Sequence, residues 1–460
     1  MKLLSPVDHA MLRMESARTP MHIGALAIFK LPDGAGSEFV REIYELFSAM
    51  AYLPFPYDSK IADLPIADAA YWKKTTPDPS YHVRFAALPS PGGEAELGTL
   101  VEFLHSRPLD LTRPVWEAHV IEGLSDNRFA FYFKAHHCAT DGGAAVETIT
   151  SWLSTDPSGT LPTGTPDETP DPGLLEKLTI LPRRVAKGTV ASVEVFDRLA
   201  RMTFGANSVV RTAAGTPGSL FNGRLGPHRR VAVESLDVDT LRRIASLTGT
   251  KVNDVVLTVA GGAVRRYLLD LDALPDSSLT ASVPIGLTRE EQTRNAATGF
   301  VTPLGTDIAD PVQRVHTVAA HTRRGKQDID ALSRTAQDFF ALIGLSPLML
   351  AQHSGLASKI PTLFNLTVSN VVLSKEKLYL LGAELQTLVP ISFLVDGYAL
   401  NITLVGYADK VTLGIVGCRD TLPHLQRLAD YTRDACAELL EAAEIAAAEP
   451  ADDETTDSGT

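Results

Sequence analysis

Apolar and polar positions change period once in a way that locates the chemistry of this chain. In Arg128–Lys134 the residues Phe129, Phe131 and Phe133 fall at every second position, the pattern of a half-buried strand. From Ala145 the apolar positions are Val146, Ile149, Trp152 and Leu153, a helical spacing, with Asp141, Gly142 and Gly143 where that helix begins. Between the two lies His136-His137-Cys138-Ala139-Thr140-Asp141-Gly142, so the segment is a strand-to-helix corner. If the strand stays extended, its two histidines face opposite sides and only one looks into any given cavity. They need separate roles.

The same reading extends along the chain. Strand-like Ile23–Phe29, a helix near Glu38–Met50, a strand at His82–Leu88, a helix at Glu96–Ser106 and then the motif strand make an α/β pattern. Thr155–Pro172 is rich in Pro, Gly, Thr and Asp and reads as a linker, followed by a basic helical stretch near Leu174–Phe204 and a loop at Gly215–Pro227. The later part predicts a strand at Arg230–Glu234, a helix at Asp239–Thr248 and another starting near Asn253. Near the end, Leu400, Ile402 and Leu404 alternate with Asn401 and Thr403, and Ala408-Asp409-Lys410 turns the chain into Val411–Val416, a β-hairpin. Glu449–Thr460 has no apolar anchor and is expected to be disordered. The domain reading is therefore 1–172 carrying the motif, 173–228 as a helical and loop connection, 229–448 as a second α/β domain, and 449–460 as an acidic tail.

Bulk properties narrow the function. A chain of 460 residues exceeds what one hydrophobic core usually supports, which agrees with two domains. The net charge of −13 disfavours nucleic acid as a partner. Cys138, Cys418 and Cys436 are too few and scattered for a disulfide framework or a cysteine metal site, which suits a reducing, cytoplasmic compartment. The N-terminus reaches Ser5-Pro6 and Asp8 after a very short apolar stretch, so no export signal is expected. Phe339–Ala351 is broken by Ser346-Pro347 and falls short of the roughly 20 residues that span a bilayer. It reads either as a buried helix pair or as a segment lying on a membrane.

Four chemistries fit the corner to different degrees. A metal site could use His137 and Asp141, but the strand-to-helix break removes the common helical face and no further ligand cluster is visible, so no metal is expected. A Cys138–His137 nucleophilic pair is disfavoured because neighbours on an extended chain diverge, and no Gly-x-Ser-x-Gly elbow supplies a serine. A structural pair of core histidines is the plain alternative. The remaining reading is general-base catalysis, in which one imidazole takes a proton from a hydroxyl that attacks a bound acyl group.

At this point the sequence resembles the CoA-dependent acyltransferase superfamily, whose His-His-x-x-x-Asp-Gly signature it matches from His136 to Gly142. More closely it resembles the bacterial wax ester synthase/diacylglycerol acyltransferase family. The resemblance is carried by Ser5-Pro6-Val7-Asp8, Met14-Glu15-Ser16, Thr19-Pro20-Met21-His22-Ile23-Gly24, Arg113-Pro114-Val115-Trp116-Glu117, Gly226-Pro227-His228-Arg229-Arg230 and Val252-Asn253-Asp254-Val255-Val256-Leu257. It implies an α/β fold of two chloramphenicol acetyltransferase-like domains with a tunnel at their interface, and His137 as base with His136 supporting it. It also implies acyl-CoA as co-substrate with no bound cofactor, and diacylglycerol or a fatty alcohol as acceptor. The product would be triacylglycerol or wax ester, made by a cytoplasmic protein held peripherally at a membrane or lipid-body surface.

Within that frame Asp141 is expected to hold the corner in shape, Gly142 to permit its backbone and leave the path of an acyl chain open, and Asn253-Asp254 to be the N-cap and first residue of a helix shaping the cavity wall. Pro114 and Trp116 read as scaffold behind the motif strand, and Trp72 and Trp152 as core packing. Arg229, Arg230 and Lys251 are candidates for the CoA phosphates, or solvated surface charge. One departure stands out: a rigid Asn-Val-Pro-Gly-Pro turn is expected late in the family, and this chain has Ser369-Asn370-Val371-Val372-Leu373-Ser374. That change bears on acceptor preference and level of activity, and it motivates an alternative, a catalytically weak lipid-binding or acyl-CoA-binding protein that keeps the fold.

Overall fold

The structure, a computed structural model, describes residues 2–49, 53–64, 69–159, 216–285, 298–330 and 362–448. Most of the expected linker, the basic stretch near Leu174–Phe204, the Phe339–Ala351 segment and the acidic tail lie outside the described residues. The first half runs β1 (Lys2–Leu3), α1 (Pro6–Met14), β2 (His22–Lys30), α2 (Phe39–Ala49), β3 (Ser59–Asp63), β4 (Ala70–Lys74), α3 (Pro79–His82), β5 (Val83–Ala87), α4 (Glu94–Ser106), β6 (Trp116–Leu124), β7 (Arg128–His136) and α5 (Gly142–Thr150). The second half runs β8 (Arg229–Asp237), α6 (Val238–Leu247), α7 (Val252–Asp270), β9 (Thr280–Ile285), β10 (Thr298–Pro303), α8 (Pro311–Asp330), β11 (Leu366–Ser374), β12 (Tyr379–Leu380), β13 (Ala383–Ile391), β14 (Leu400–Tyr407), β15 (Lys410–Cys418) and α9 (Gln426–Ala448).

Local chemistry accounts for most of these elements. Helix α2 buries Val40, Ile43 and Phe47, a single apolar stripe. Asp237 caps α6 by accepting the Thr240 N–H at 2.7 Å, and Leu241, Ile244 and Ala245 face the core. Helix α7 is buried on nearly every side from Asp254 to Val264, which makes it the central helix of its half.

Two six-stranded sheets result, in the orders β12-β13-β2-β7-β6-β5 and β10-β9-β11-β14-β15-β8, with a small sheet β1-β4-β3 beside them. The chain does not divide cleanly between the sheets. Strand β13, from the late part of the sequence, pairs antiparallel with β2 from Ile391↔Gly24 to Glu384↔Lys30, so the C-terminal half completes the N-terminal sheet. The expected hairpin is present as β14–β15, but its polar residues are not on a wet face. Leu400, Ile402 and Leu404 join the core of the second half, whereas Val405 and Tyr407 join a core with Phe129, Phe131 and Phe133 of the first. Asn401 and Thr403 are accordingly buried, and the Thr403 hydroxyl donates to Asn401 Oδ1 at 2.9 Å.

The motif strand departs from expectation in the same way. Strand β7 is buried on both faces, with Tyr132 and Lys134 opposite the phenylalanines. Lys134 is tolerated there because its ammonium donates to Leu104 O at 3.0 Å and Arg107 O at 2.9 Å, at the C-terminal end of α4, and lies 3.6 Å from the Glu117 carboxylate. Beside it, Tyr132 donates to His105 Nδ1 at 2.8 Å, and His105 Nε2 donates to Ser392 O at 3.0 Å. Both ring nitrogens are thus used, and burial lowers the His105 pKa to about 3.

Two tests follow from this docking. A Cβ on Gly414 of β15 would lie 1.7 Å from Pro390 O of β13, so Gly414→Ala must push the sheets apart and is expected to destabilise by about 1–3 kcal/mol in denaturant unfolding. Gly406→Ala, whose Cβ meets Val372 at an ordinary 3.9 Å, serves as the control and should change stability by less than about 0.5 kcal/mol. The buried neutral His105 adds a pH dependence. With a folded pKa of about 3 against an ordinary value of 6.5, its contribution is present above pH 6.5 and is lost as pH falls, because only the unfolded chain takes up the proton. Between pH 7 and 5 the loss is about 2 kcal/mol. His105→Gln should flatten the stability–pH slope by that amount, and an unchanged slope would refute the assignment.

Candidate active site

The corner after β7 is held by backbone bonds from three elements. The His136 N–H donates to Val115 O at 2.9 Å, the His137 N–H donates to Met21 O at 2.8 Å, and the Ala139 N–H turns back to His136 O at 2.9 Å. Asp141 then caps α5 by accepting the Ala144 N–H on Oδ1 at 2.8 Å, so it shapes the corner as its sequence position suggests.

The two histidines differ in every respect that decides chemistry. His136 is buried, and its Nδ1 accepts the Cys138 N–H at 3.1 Å. That bond assigns the proton of the neutral ring to Nε2, which faces Glu15 Oε2 at 3.5 Å. The same Glu15 oxygen accepts the Met21 N–H. One carboxylate therefore faces His136 and steadies the residue whose carbonyl holds the backbone of His137. His137 itself keeps partial exposure and stands edge-on to Phe393, with ring centroids 5.0 Å apart and planes at 78°. Burial lowers its pKa, Asp141 raises it, and His136 lowers it further, so at neutral pH the imidazole is uncharged and can accept a proton. Cys138 is buried, and burial, with Asp8 and Glu15 nearby, pushes its thiol well above the ordinary value. It is a poor thiolate, which removes support from the nucleophilic pair.

Other expected site residues fall in different places. Gly142 does not adopt a left-handed backbone, and a Cβ there would meet Val371 Cγ1 at an ordinary 3.7 Å, so the corner's conformation does not require glycine. Gly142 is instead where the corner meets β11. Asn253 and Asp254 are not the cap and first residue of their helix: Lys251 is the N-cap of α7. Asp254, buried in the third helical position, accepts the Lys251 N–H at 3.1 Å and the Thr322 hydroxyl at 2.6 Å, which ties α7 to α8. Asn253 lines a cavity of about 170 Å³ together with Asn370. The departing segment Ser369–Ser374 is strand, paired with β14 as far as Ser374 but with a register shift between Val372 and Ser374, where a proline-glycine turn was expected.

Arg229 is neither a free phosphate ligand nor surface charge. It is buried, with its guanidinium on Gly226 O at 2.7 Å and on Arg18 O. Arg230 lies 3.7 Å from Glu102, and Lys251 is exposed. Trp116 is scaffold: it is buried, donates to Tyr57 O at 3.0 Å and stacks on His82. Trp72 and Trp152 pack in cores.

Sequence reasoning gave no role to Glu15, Phe393 or the Arg18–Asp396 pair. Arg18 binds Asp396 with two bonds of 3.2 and 3.0 Å, and Asp396 also accepts the Leu225 N–H, which fixes the loop that carries Phe393. Glu15 lies in a segment that carried the family resemblance, and nothing local to it foretells its partner. Among the described residues, no group of three or more His, Cys, Asp or Glu could hold a metal ion, and no helix is long and apolar enough to cross a membrane.

Residues 4–256 match the wax ester synthase/diacylglycerol acyltransferase catalytic domain, and residues 294–440 match the WS/DGAT C-terminal domain. A putative diacylglycerol O-acyltransferase of Mycobacterium tuberculosis strain H37Rv is 54% identical over 445 residues, covering 96% of this chain and 100% of that protein. A probable diacylglycerol O-acyltransferase, tgs2, of the same organism is 36% identical over 459 residues, covering 97% and 100%. The solved wax ester synthase/diacylglycerol acyltransferase from Marinobacter aquaeolei VT8 is 31% identical with a TM-score of 0.77, covering 96% of this chain and 100% of that one. The paired α/β sheets are those of the two-domain, chloramphenicol acetyltransferase-like architecture, and the chain belongs to the wax ester synthase/diacylglycerol acyltransferase family.

Proposed function

We propose that this protein is an O-acyltransferase that moves a long-chain acyl group from acyl-CoA to the hydroxyl of diacylglycerol or a fatty alcohol, with His137 as general base. The observation that carries the mechanism is the asymmetry of the two histidines: His136 is buried with Nδ1 on Cys138 and Nε2 toward Glu15, while His137 is neutral and partly exposed. The acceptor hydroxyl gives its proton to the His137 imidazole as its oxygen attacks the thioester carbonyl. The resulting tetrahedral adduct collapses by breaking the C–S bond, and the departing CoA sulfur takes the proton back from the imidazolium. No acyl-enzyme forms, in keeping with the high pKa of Cys138.

A long acyl chain suits a site of this kind. Each buried methylene contributes about 0.8 kcal/mol, so about fifteen give an upper bound of about 12 kcal/mol for binding. The ester product partitions into lipid, which supports peripheral attachment to a membrane or lipid-body surface and is the reading we adopt for location. The continuous strand at Leu366–Ser374 favours the second reading, a catalytically weak acyl-CoA-binding protein, because the family's rigid turn is missing there. Ester formation separates the two.

Purified protein is expected to release CoA from a long-chain acyl-CoA only with a hydroxyl acceptor present, and to yield the matching ester. His137→Ala should lower kcat by about 10²–10⁴-fold with its melting temperature nearly unchanged, whereas His136→Ala should lower the melting temperature more. Small, equal activity losses from both would remove His137 from the role of base. Asp141→Asn gives a second check. Asparagine still caps α5, but the charge that raises the His137 pKa is gone, so the acidic limb of the kcat–pH profile should move to lower pH. A limb that stays in place would mean that another group titrates.

A further inference from the structure

The small sheet β1-β4-β3 packs one face on a core and turns the other toward solvent. Its register decides which residue is on which side. Lys2 and Ile61 stand opposite Trp72, and Asp63 stands opposite Ala70, so all five share the inner face. Leu3 and Ala62 stand opposite Tyr71, and Lys60 stands opposite Lys73, so these five make the outer face. Ala70 and Trp72 are buried in the core that also holds Cys138 and Ala139, with Ile61 and Phe393 packed against it. The inner face is therefore a wall of the core behind the histidine corner, and the outer face lies one packed layer away.

The outer face combines free positive charge with apolar surface. Leu3 is 46% exposed, Lys73 is exposed, and Lys60 and Tyr71 are half-buried. Among the described residues, the side chains of Lys60, Lys73 and the exposed neighbour Lys74 have no ion-pair partner. The one acid of these three strands, Asp63, is on the inner face. In a chain of net charge −13, three such lysines on one small sheet reverse the overall field locally. A lysine meets phosphate as a flexible point charge while its methylenes lie along apolar surface. Leucine, and tyrosine with its apolar ring and polar tip, suit the boundary between headgroups and acyl chains. A polynucleotide would satisfy the lysines and leave Leu3 against a charged backbone. An anionic phospholipid surface satisfies both.

Resting on the lipid acceptors and peripheral attachment read above, we propose that the outer face of the β1-β4-β3 sheet docks on an anionic phospholipid surface. Lys60 and Lys73, flanked by Lys74, meet the headgroup phosphates, and Leu3 and Tyr71 enter the interface. Docked in this way, the sheet is the layer between the lipid and the corner, so an acceptor dissolved in lipid starts close to His137.

The test measures partition of the full-length protein onto vesicles of phosphatidylcholine, alone or with about 30% phosphatidylglycerol. The wild type is compared with Lys60→Gln/Lys73→Gln and with Lys375→Gln/Lys410→Gln, which removes the same charge from exposed positions beside β11 and β15. The wild type is expected on the anionic vesicles and only weakly on the neutral ones. Lys60→Gln/Lys73→Gln should weaken that partition about 25-fold, at about fivefold for each lysine, while the control pair changes it by less than about twofold. Leu3→Asn should weaken it about tenfold and leave its sensitivity to salt in place. The melting temperature should stay constant in all variants, and kcat on a water-soluble short alcohol should stay at the wild-type value. Equal losses in the control pair would make the effect one of net charge. Unchanged partition in Lys60→Gln/Lys73→Gln, equal binding to both vesicles, or no vesicle binding by the wild type, as for a face built for an acidic protein, would likewise overturn the proposal. If partition behaves as expected and no ester forms, the docking face stands and the transferase reading fails.

Discussion

The pairing of β13 with β2 is the constraint on which the rest of this structure depends. It joins strands distant in the chain, so the first sheet is not complete until both halves have formed, and its loop-closure cost is recovered only through the cores on either side. Its consequence for the site is direct. On leaving β13 the chain crosses to the other sheet through residues 392–399, and that crossing carries Phe393 against His137 and Asp396 against Arg18. The close approach of Gly414 to Pro390 and the bond from His105 to Ser392 O hold the same crossing from its two sides.

The corner itself shows how burial and hydrogen bonding divide one dipeptide into two roles. Both histidines follow the same strand, yet the backbone N–H of Cys138 fixes the tautomer of His136, while His137 is left with partial exposure. Glu15 contributes to both through one oxygen, facing the first ring and bonding the Met21 N–H beside the second. A largely enclosed carboxylate with two such contacts is a positional device: it defines where the corner sits relative to α1. Lys134 and Arg229 are similar cases, buried charged side chains that bond backbone carbonyls at the ends of helices and in loops.

Much of the site was legible because its signals are local. The change from period two to helical spacing placed His136, His137 and Asp141 at a strand-to-helix corner, and Asp141 caps the helix that the spacing predicts. The elements near Ile23–Phe29, Glu96–Ser106, Asp239–Thr248 and the β14–β15 hairpin were likewise visible from alternation and caps. Errors arose where a local rule admitted two answers. Asn253 is a good cap residue, but the Asp254 carboxylate reaches back to Lys251 and moves the cap two positions earlier. Gly142 invited a conformational reading, and its backbone turned out to be ordinary.

The sequence by itself determined the α/β class, the position of the histidine corner and the family, since each rests on the order and spacing of residues close together in the chain. Tertiary structure alone decided which faces are wet. The alternation in Arg128–Lys134 and Leu400–Leu404 is that of strands with one dry side, and both are dry on two sides because α4 and β15 cover Tyr132 and its neighbours while the core of the first half covers the far side of β14. It also decided which charged residues are spent: Arg229, Glu15 and Asp254 have partners remote in sequence, while Lys326 and Asn370 face a cavity with none among the described residues. The reason is physical. A residue's propensity is set by its neighbours in the chain, but its desolvation and its partners are set by whatever the fold brings against it.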